Sequence, residues 1–445
     1  MQWAGVGMWM VLGLSACSPT KTEIGNLNVI PQPQEVSQDI QAHPFVINPQ
    51  TGIVYPEGNE KLQRTAEFLA SYIKEATGIT VRTTTEAARK NSIILAVDGS
   101  ITNKEGYQLE VTSENIHLNG GSESGVFYGI QTLYKALPLT KNKQVSAAIP
   151  VGTVNDYPRF GYRGFMVDVG RHYFPVSYLK QIIDMLALHN VNYFHWHLTE
   201  GLGWRIEIKR YPFLTRIGAF VGQGPEQQGF YSQEEVKEII GYAADRGITV
   251  VPEIDMPGHA EAALNAYPRL GCFNVAVKVP QSGFTQNIFC AGKDSTLIFL
   301  KNVLDEVCRM FPSAYIHLGG DEAPKGNWDK CPDCRSRIEK EKLKDSHDLQ
   351  LWFSARMADY LKQKGRKAIF WGDVIYKDGY SLPDNVVIQW WNWRGHRDLA
   401  LKNAVRHNYP VICGTNYYTY LNFPLTPWKG YTQARTFDLE DVYLR

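Results

Sequence analysis

Several things are scarce in this 445-residue chain. A surplus of charge of either sign is missing: 46 Lys and Arg face 45 Asp and Glu, a net charge of +1. So flat a balance offers no electrostatic grip on nucleic acid or an anionic membrane surface, and neither is expected as a partner on that ground. Long apolar runs are missing too, since no stretch reaches the ~20 residues of a transmembrane helix. Cysteine is sparse, with seven in all: Cys17, Cys272, Cys290, Cys308, Cys331, Cys334 and Cys413. No second Cys-x-x-Cys and no His-x3-His accompanies Cys331-Pro-Asp-Cys334, so the argument for zinc is weak and the pair reads as structural or idle. Cys272 and Cys290 flank one long loop and suggest a second bridge.

The N-terminus lacks any Lys or Arg before Lys21, so the positive region of a signal peptide is absent. Val6 to Leu14 nevertheless has the length of a signal-peptide core. It ends in Leu14-Ser15-Ala16-Cys17, similar to the bacterial lipobox whose Cys becomes the lipidated N-terminus. The bland alternative is a chance Cys after an apolar stretch. Residues 1–20 are read as a signal and lipoprotein segment with Cys17 as the lipidation site. The expectation is an exported protein, a periplasmic or outer-membrane lipoprotein of a bacterium, touching the membrane only through that lipid.

What the chain does have is a core and many rings. Hydrophobic residues make up 44% and charged ones 20%, which excludes a disordered chain. The 11 Trp and 24 Tyr favour aromatic-lined pockets. Residues 28–155 read as a small α/β domain. Helical spacing runs over 59–77 and 122–137, a β-rich run over 92–97, and a hairpin over 107–119. From residue 156 the pattern becomes strand, loop, helix, repeated. Strands are predicted at 164–169, 192–198, 249–254, 315–318, 368–371, 386–391 and 410–414, with helices over 176–189, 233–246, 296–311 and 348–365. Apolar strands alternating with helices imply parallel strands and crossovers, hence a (β/α)8 TIM barrel over 156–445. Seven strands are countable, so either the last strand is unread or the barrel is cut short at its C-terminus.

Chemistry gathers where the strands end: Asp168 and Arg171; His195, His197 and Glu200; Glu253, Asp255 and His259; Asp321 and Glu322; Trp371 and Asp373; Trp390, Trp391 and Trp393; Tyr417, Tyr418, Tyr420 and Asn422. Carboxylates beside aromatic walls suit a sugar, whose ring faces stack while its hydroxyls take charge-assisted bonds. Asp321 and Glu322 are adjacent, so both can face one pocket only where the strand has ended; Gly319 and Gly320 before them permit that release. Paired carboxylates do not both ionise readily, which raises one pKa and makes an acid near neutral pH. A solvated acidic loop is the competing reading.

His317-Leu-Gly-Gly-Asp-Glu322 resembles the signature of family 20 glycoside hydrolases, the β-N-acetylhexosaminidases. So do Asp168-Val-Gly-Arg171, His195-Trp-His-Leu-Thr-Glu200, Pro252-Glu-Ile-Asp-Met-Pro-Gly-His259 and Phe370-Trp-Gly-Asp373, in the family's order. The resemblance covers roughly residues 28–445. It implies an exo-acting, retaining enzyme that removes terminal β-linked GlcNAc or GalNAc from glycans, with the substrate's acetamido carbonyl as nucleophile and no cofactor or metal. By resemblance Glu322 is the acid and base, Asp321 orients the acetamide, and Arg171 holds ring hydroxyls. Trp371 and Trp391 wall the acetamido methyl, Tyr420 donates to its oxygen, and Asn422 stands where the family has Asp. His259 and Glu200 would tune Glu322 from behind. Glu200-Gly201 replaces the usual Asp-Asp, and the eighth-strand Trp-x-Glu has no counterpart before Arg445.

Two other readings are weighed against this one. His195 and His197, with His259 and Asp321, could hold a metal as in amidohydrolase barrels. A barrel that only binds amino sugars, as a lipid-anchored receptor, is the third.

Overall fold

The structure, a computed structural model, describes residues 22–86, 88–139, 146–222, 224–225, 228–280, 284–391, 397–421 and 440. The chain forms two compact units that divide between Gly161 and Tyr162. In the first, a seven-stranded mixed sheet runs in the order Glu35–Asp39, Val151–Asp156, Tyr107–Val111, Asn115–Gly120, Ser92–Val97, Gly52–Val54, Arg82–Thr84. The hairpin of Tyr107–Val111 with Asn115–Gly120 is antiparallel and central. The helix Glu60–Thr77 starts where the Asn59 side chain accepts the Leu62 N–H, and ends at Gly78 in the left-handed region. Leu62, Ala66, Leu69 and Ile73 form its buried stripe. Of the strands the sequence did not flag, Gly52–Val54 and Arg82–Thr84 have only three residues, too few to show a period.

The second unit is the parallel wall of a (β/α)8 barrel. Its strands are β1 (Gly164–Asp168), β2 (Tyr193–His197), β3 (Thr249–Glu253), β4 (Tyr315–His317), β5 (Lys367–Trp371), β6 (Val386–Trp390) and β7 (Val411–Cys413), hydrogen-bonded in sequence order. Helices α1 (Val176–Leu188), α2 (Gln233–Ala244), α3 (Asp294–Met310), α4 (Ser346–Gln363) and α5 (Arg397–Arg406) make crossovers between them. A capping box opens α2: Ser232 accepts from the Glu235 N–H, and the Glu235 carboxylate accepts from the Ser232 N–H. Asp345 caps α4 by accepting from the N–H groups of His347 and Asp348. Among the described residues there is no eighth strand, and no helix is long and apolar enough to cross a membrane.

Strand ends are shorter than the sequence suggests. Val169, Leu198, Ile254 and Leu318 each still donate one ladder bond to the next strand, at 2.9–3.2 Å, before the chain turns away into its loop. Inside the barrel, Val251, Ile369 and Val387 form an apolar layer, with Tyr193, Tyr315 and Ile412 packed against it. Side chains two residues on share a strand face. From this layer toward the strand ends, that rule turns Tyr193 into His195, Val251 into Glu253, Tyr315 into His317 and Ile369 into Trp371. One apolar layer thus carries a polar one above it.

The cysteines differ from expectation. All six described ones are free thiols. Cys272, Cys290, Cys331 and Cys334, read above as two separate pairs, come together as one group. The chain returns to Cys290 and Cys331 through long loops, which spacing alone does not reveal.

Candidate active site

Glu253, at the end of β3, is fully buried. His195 Nε2 lies 2.8 Å and His197 Nδ1 3.5 Å from one carboxylate oxygen, and His317 Nδ1 3.2 Å from the other. Trp371 Nε1–H donates to that second oxygen at 2.8 Å. Burial pushes this carboxyl up, but the surrounding imidazoles more than offset it and hold it well below the ordinary range. His195 is pushed down to about 4 by burial and by His317, whose ring stacks on it at 4.6 Å. The metal site sketched above does not form, because the histidines divide. His195 and His197 converge on Glu253, whereas His259 faces Glu200, Asp321 and Glu322.

After β4 the backbone leaves the sheet through Gly319 (φ +62°) and Gly320 (φ +95°). A Cβ on Gly319 would sit 1.9 Å from the Asp255 carboxylate, and one on Gly320 would sit 2.5 Å from Val374. The glycines of the signature therefore admit both a left-handed backbone and a buried neighbour. Asp255 Oδ1 accepts the Gly320 N–H at 3.0 Å. Burial, then the nearby Asp321 charge, pushes Asp255 well above the carboxylate range. Glu322 (φ +44°) and His259 (φ +49°) are themselves left-handed, a sparsely populated conformation for such residues.

His259 joins the site's charges. Its Nδ1 is 3.0 and 3.1 Å from the two Glu200 oxygens, and its Nε2 is 3.4 Å from Asp321 and 3.6 Å from Glu322. Burial disfavours its charged form, yet Glu200 and Asp321 together lift it well above its ordinary value. Glu200 is pushed up by burial, but Arg171 and then His259 hold it down at about 2. Arg171 reaches Glu200 at 2.5 Å and also pairs with Asp168. Gly170 leaves room for Glu200, since a Cβ there would come within 2.5 Å of the Glu200 Cβ. Glu322, half-exposed, is raised by burial and by Asp321, against the opposing pull of His259 and Arg171.

An aromatic wall completes the group. Trp391 Nε1–H donates to Asp373 at 2.6 Å and stacks on Tyr420, with ring centroids 6.3 Å apart and planes 18° apart. Tyr420 is pushed up by burial and by the Asp321 charge, which places its phenol within reach of that carboxylate's field. Asp373 is raised to about 6, first by burial and then by Asp321. The structure thus gathers Asp321, Glu322, His259, Glu200, Arg171, Trp371, Trp391 and Tyr420 at one end of the barrel. Asn422 and Cys17 lie outside the described residues. Glu253, Asp255 and Asp373, picked out above as strand-end residues, received no role from the sequence; their contacts supply one.

Two family descriptions match the chain: "Glycosyl hydrolase family 20, catalytic domain" over residues 160–443, and "Glycosyl hydrolase family 20, domain 2" over residues 26–157. The chain belongs to glycosyl hydrolase family 20. It is 38% identical over 402 residues to a β-hexosaminidase of Porphyromonas gingivalis, covering 87% of this chain and 51% of that protein. It therefore spans about half the length of that relative. A β-hexosaminidase of Akkermansia muciniphila is 33% identical over 76% of this chain and 69% of its own length. Among solved structures, a β-N-acetylhexosaminidase from Bacteroides fragilis superposes with TM-score 0.84 at 68% identity, covering 94% of this chain and 81% of that one. A mutant Streptomyces plicatus β-hexosaminidase in complex with product (GlcNAc) does so with TM-score 0.79 at 29% identity, covering 94% and 79%.

Gly319→Ala tests the turn. A non-glycine residue in this backbone costs about 1–3 kcal/mol, before any collision with Asp255 is counted. Urea unfolding should show a loss of that size or larger, and a loss near zero would mean the turn relaxes freely.

Proposed function

We propose that this chain is an exo-acting, retaining β-N-acetylhexosaminidase that removes terminal β-linked GlcNAc or GalNAc from glycans by substrate-assisted catalysis. The observation that carries the reading is the Asp321–Glu322 pair. One oxygen of each lies within 4.8 Å of the other and of a ring nitrogen of His259. That is too close for the water that an inverting carboxylate pair holds between its members, which are ~6.5–9.5 Å apart. The N-acetylglucosamine complexes of related enzymes from Vibrio harveyi and Streptomyces plicatus support an amino-sugar ligand.

Glu322, with its raised pKa, gives its proton to the glycosidic oxygen as that bond to the anomeric carbon breaks. The 2-acetamido carbonyl oxygen of the same sugar closes on the anomeric carbon from the other face and gives an oxazolinium ion. Asp321 takes the acetamide N–H; its Oδ1 is buried and has no hydrogen-bond partner among the described residues. Its charge stabilises the cation formed on that nitrogen. Glu322, now a carboxylate, removes a proton from water as the water's oxygen opens the ring, so configuration is retained. Arg171 holds ring hydroxyls with the guanidinium that Asp168 and Glu200 orient. Trp371, Trp391 and Tyr420 enclose the acetamido group, Tyr420 donating to its oxygen. Asn422 meets the outer hydroxyls.

The test compares p-nitrophenyl β-GlcNAc with the plain β-glucoside. Only the first should release phenol, and equal rates would remove the acetamide from the mechanism. Glu322→Gln should lose about 10²–10⁴-fold on substrates with poor leaving groups and far less on good ones. Asp321→Asn should lose about 10²–10³-fold on every substrate and weaken an oxazoline-mimicking inhibitor.

The alkaline limb of kcat/KM reports ionisation of Glu322. His259 opposes the rise in that pKa, so His259→Asn removes a cation and lets the pKa climb further. The proton then stays to higher pH, and the limb should move to more alkaline values. A limb that stays still or moves to acid would exclude His259 as the neighbouring charge.

We also propose that the chain is exported and anchored through lipid on Cys17. Labelling with a radioactive fatty acid in a bacterial host should mark the protein, and Cys17→Ser should abolish the label.

A further inference from the structure

Four cysteines that the reaction does not use come together beside the strand ends that carry it. Cys272 and Cys290 bracket the loop between β3 and α3, while Cys331 and Cys334 open the helix Pro332–Lys340, just after Asp321 and Glu322. Cys290 Sγ lies 3.5 Å from Cys334 Sγ and 3.8 Å from Cys331 Sγ, and Cys272 Sγ lies 3.9 Å from Cys334 Sγ. All four sulfurs are within 4.8 Å of one another. A disulfide needs about 2.05 Å, so no pair is bonded. A tetrahedral ZnS₄ centre with Zn–S near 2.3 Å has sulfur–sulfur edges of about 3.8 Å, the value these distances bracket.

We propose that Cys272, Cys290, Cys331 and Cys334 bind one zinc ion in a closed, structural Cys₄ site. The donors are all soft, which disfavours magnesium and calcium, and four protein ligands leave no open position for chemistry. Cys290, Cys331 and Cys334 are buried and Cys272 is half-buried, so the centre is shielded. Four thiolates on a divalent ion carry net negative charge, and two cations stand next to their backbone. Lys293 Nζ donates to the Gly271 carbonyl at 2.5 Å, and Arg337 donates to that of Gly292 at 3.2 Å. The segments also touch directly: a Cβ on Gly292 would come within 2.2 Å of the Asp333 backbone. Trp328 Nε1–H donates to the Phe289 carbonyl at 3.0 Å. The ion would tie the loop that follows His259 to the segment that follows Glu322.

The full chain, purified without chelator, should carry one zinc per molecule by elemental analysis, with no visible absorbance. Alkylated after denaturation in chelator without reductant, it should be modified at all four cysteines. Stripping the metal should lower Tm by roughly 5–10 °C, restored by Zn²⁺ and not by Mg²⁺. Cys290→Ser should lose the metal; if it does not fold, the metal content of the unaltered chain still decides. Four blocked cysteines with the mass of two disulfides would overturn the site. So would four alkylated cysteines without metal, or iron with its colour. None of these readouts depends on glycosidase activity.

Discussion

A carboxylate with no water around it sets the terms for the polar half of this barrel. An isolated charge at the position of Glu253 would cost several kcal/mol even after relaxation, so it persists only with partners on every side. Those partners come from separate strands: His195 and His197 from β2, His317 from β4 and Trp371 from β5. The strands must therefore hold register. Asp168, His197, Glu253 and His317 do pair residue to residue across β1 to β4. Slipping one strand by a single residue would turn a partner outward and leave the charge uncompensated. The apolar layer of Val251, Ile369 and Val387 beneath it supplies the burial that lets this network exist.

Further out, the balance of charge shapes the site. Asp168, Glu200, Asp255, Asp321, Glu322 and Asp373 share the strand ends, and among the described residues the cations that ion-pair with them are Arg171 and His259. Two positive charges cannot hold six ionised carboxylates at close range, so the groups separate by position. Glu200 touches both cations and stays ionised down to about pH 2. Asp255 is buried and Asp373 half-buried, both within the field of Asp321 and without an ion-pair partner among the described residues, and both rise, Asp373 to about 6. Glu322 lies between these limits, lifted by burial and Asp321 and restrained by His259 and Arg171. The acid and base role proposed for Glu322, first giving and later taking a proton, needs this intermediate position.

Periodicity and strand-end chemistry were the legible parts of the sequence. The seven barrel strands fall within a residue or two of their predicted bounds, because near-continuous apolar runs between amphipathic helices leave few alternatives. Asp321, Glu322, His259 and Arg171 stood out because polar residues at the end of an apolar strand need a reason. Asp255 and Asp373 were visible at strand ends too, but their work shows only in contacts: one accepts the Gly320 N–H, the other fixes the Trp391 indole. The four-cysteine group was hidden for the same cause. Cys272 and Cys290 lie on a loop and Cys331 and Cys334 at the start of a helix, and only the folded chain brings the sulfurs of residues 272 and 334 within 3.9 Å. The edge strand Arg82–Thr84 of the first unit, at three residues, was too short to show alternation.

Adjacent side chains on a strand point to opposite faces, so Asp321 and Glu322 can both face His259 only because the backbone abandons β geometry before them. That departure places Gly319, Gly320 and Glu322 at positive φ, and the surrounding structure must over-determine it. Asp255 accepts the Gly320 N–H from one side, and Gln350 of α4 donates to the Gly320 carbonyl at 2.7 Å from the other. Both backbone groups of the pivotal residue are thus held by buried side chains rather than by the sheet. Asp255 is accordingly a positioning residue for the proposed catalytic pair, and its proximity to Asp321 is the electrostatic consequence of holding the turn so tightly.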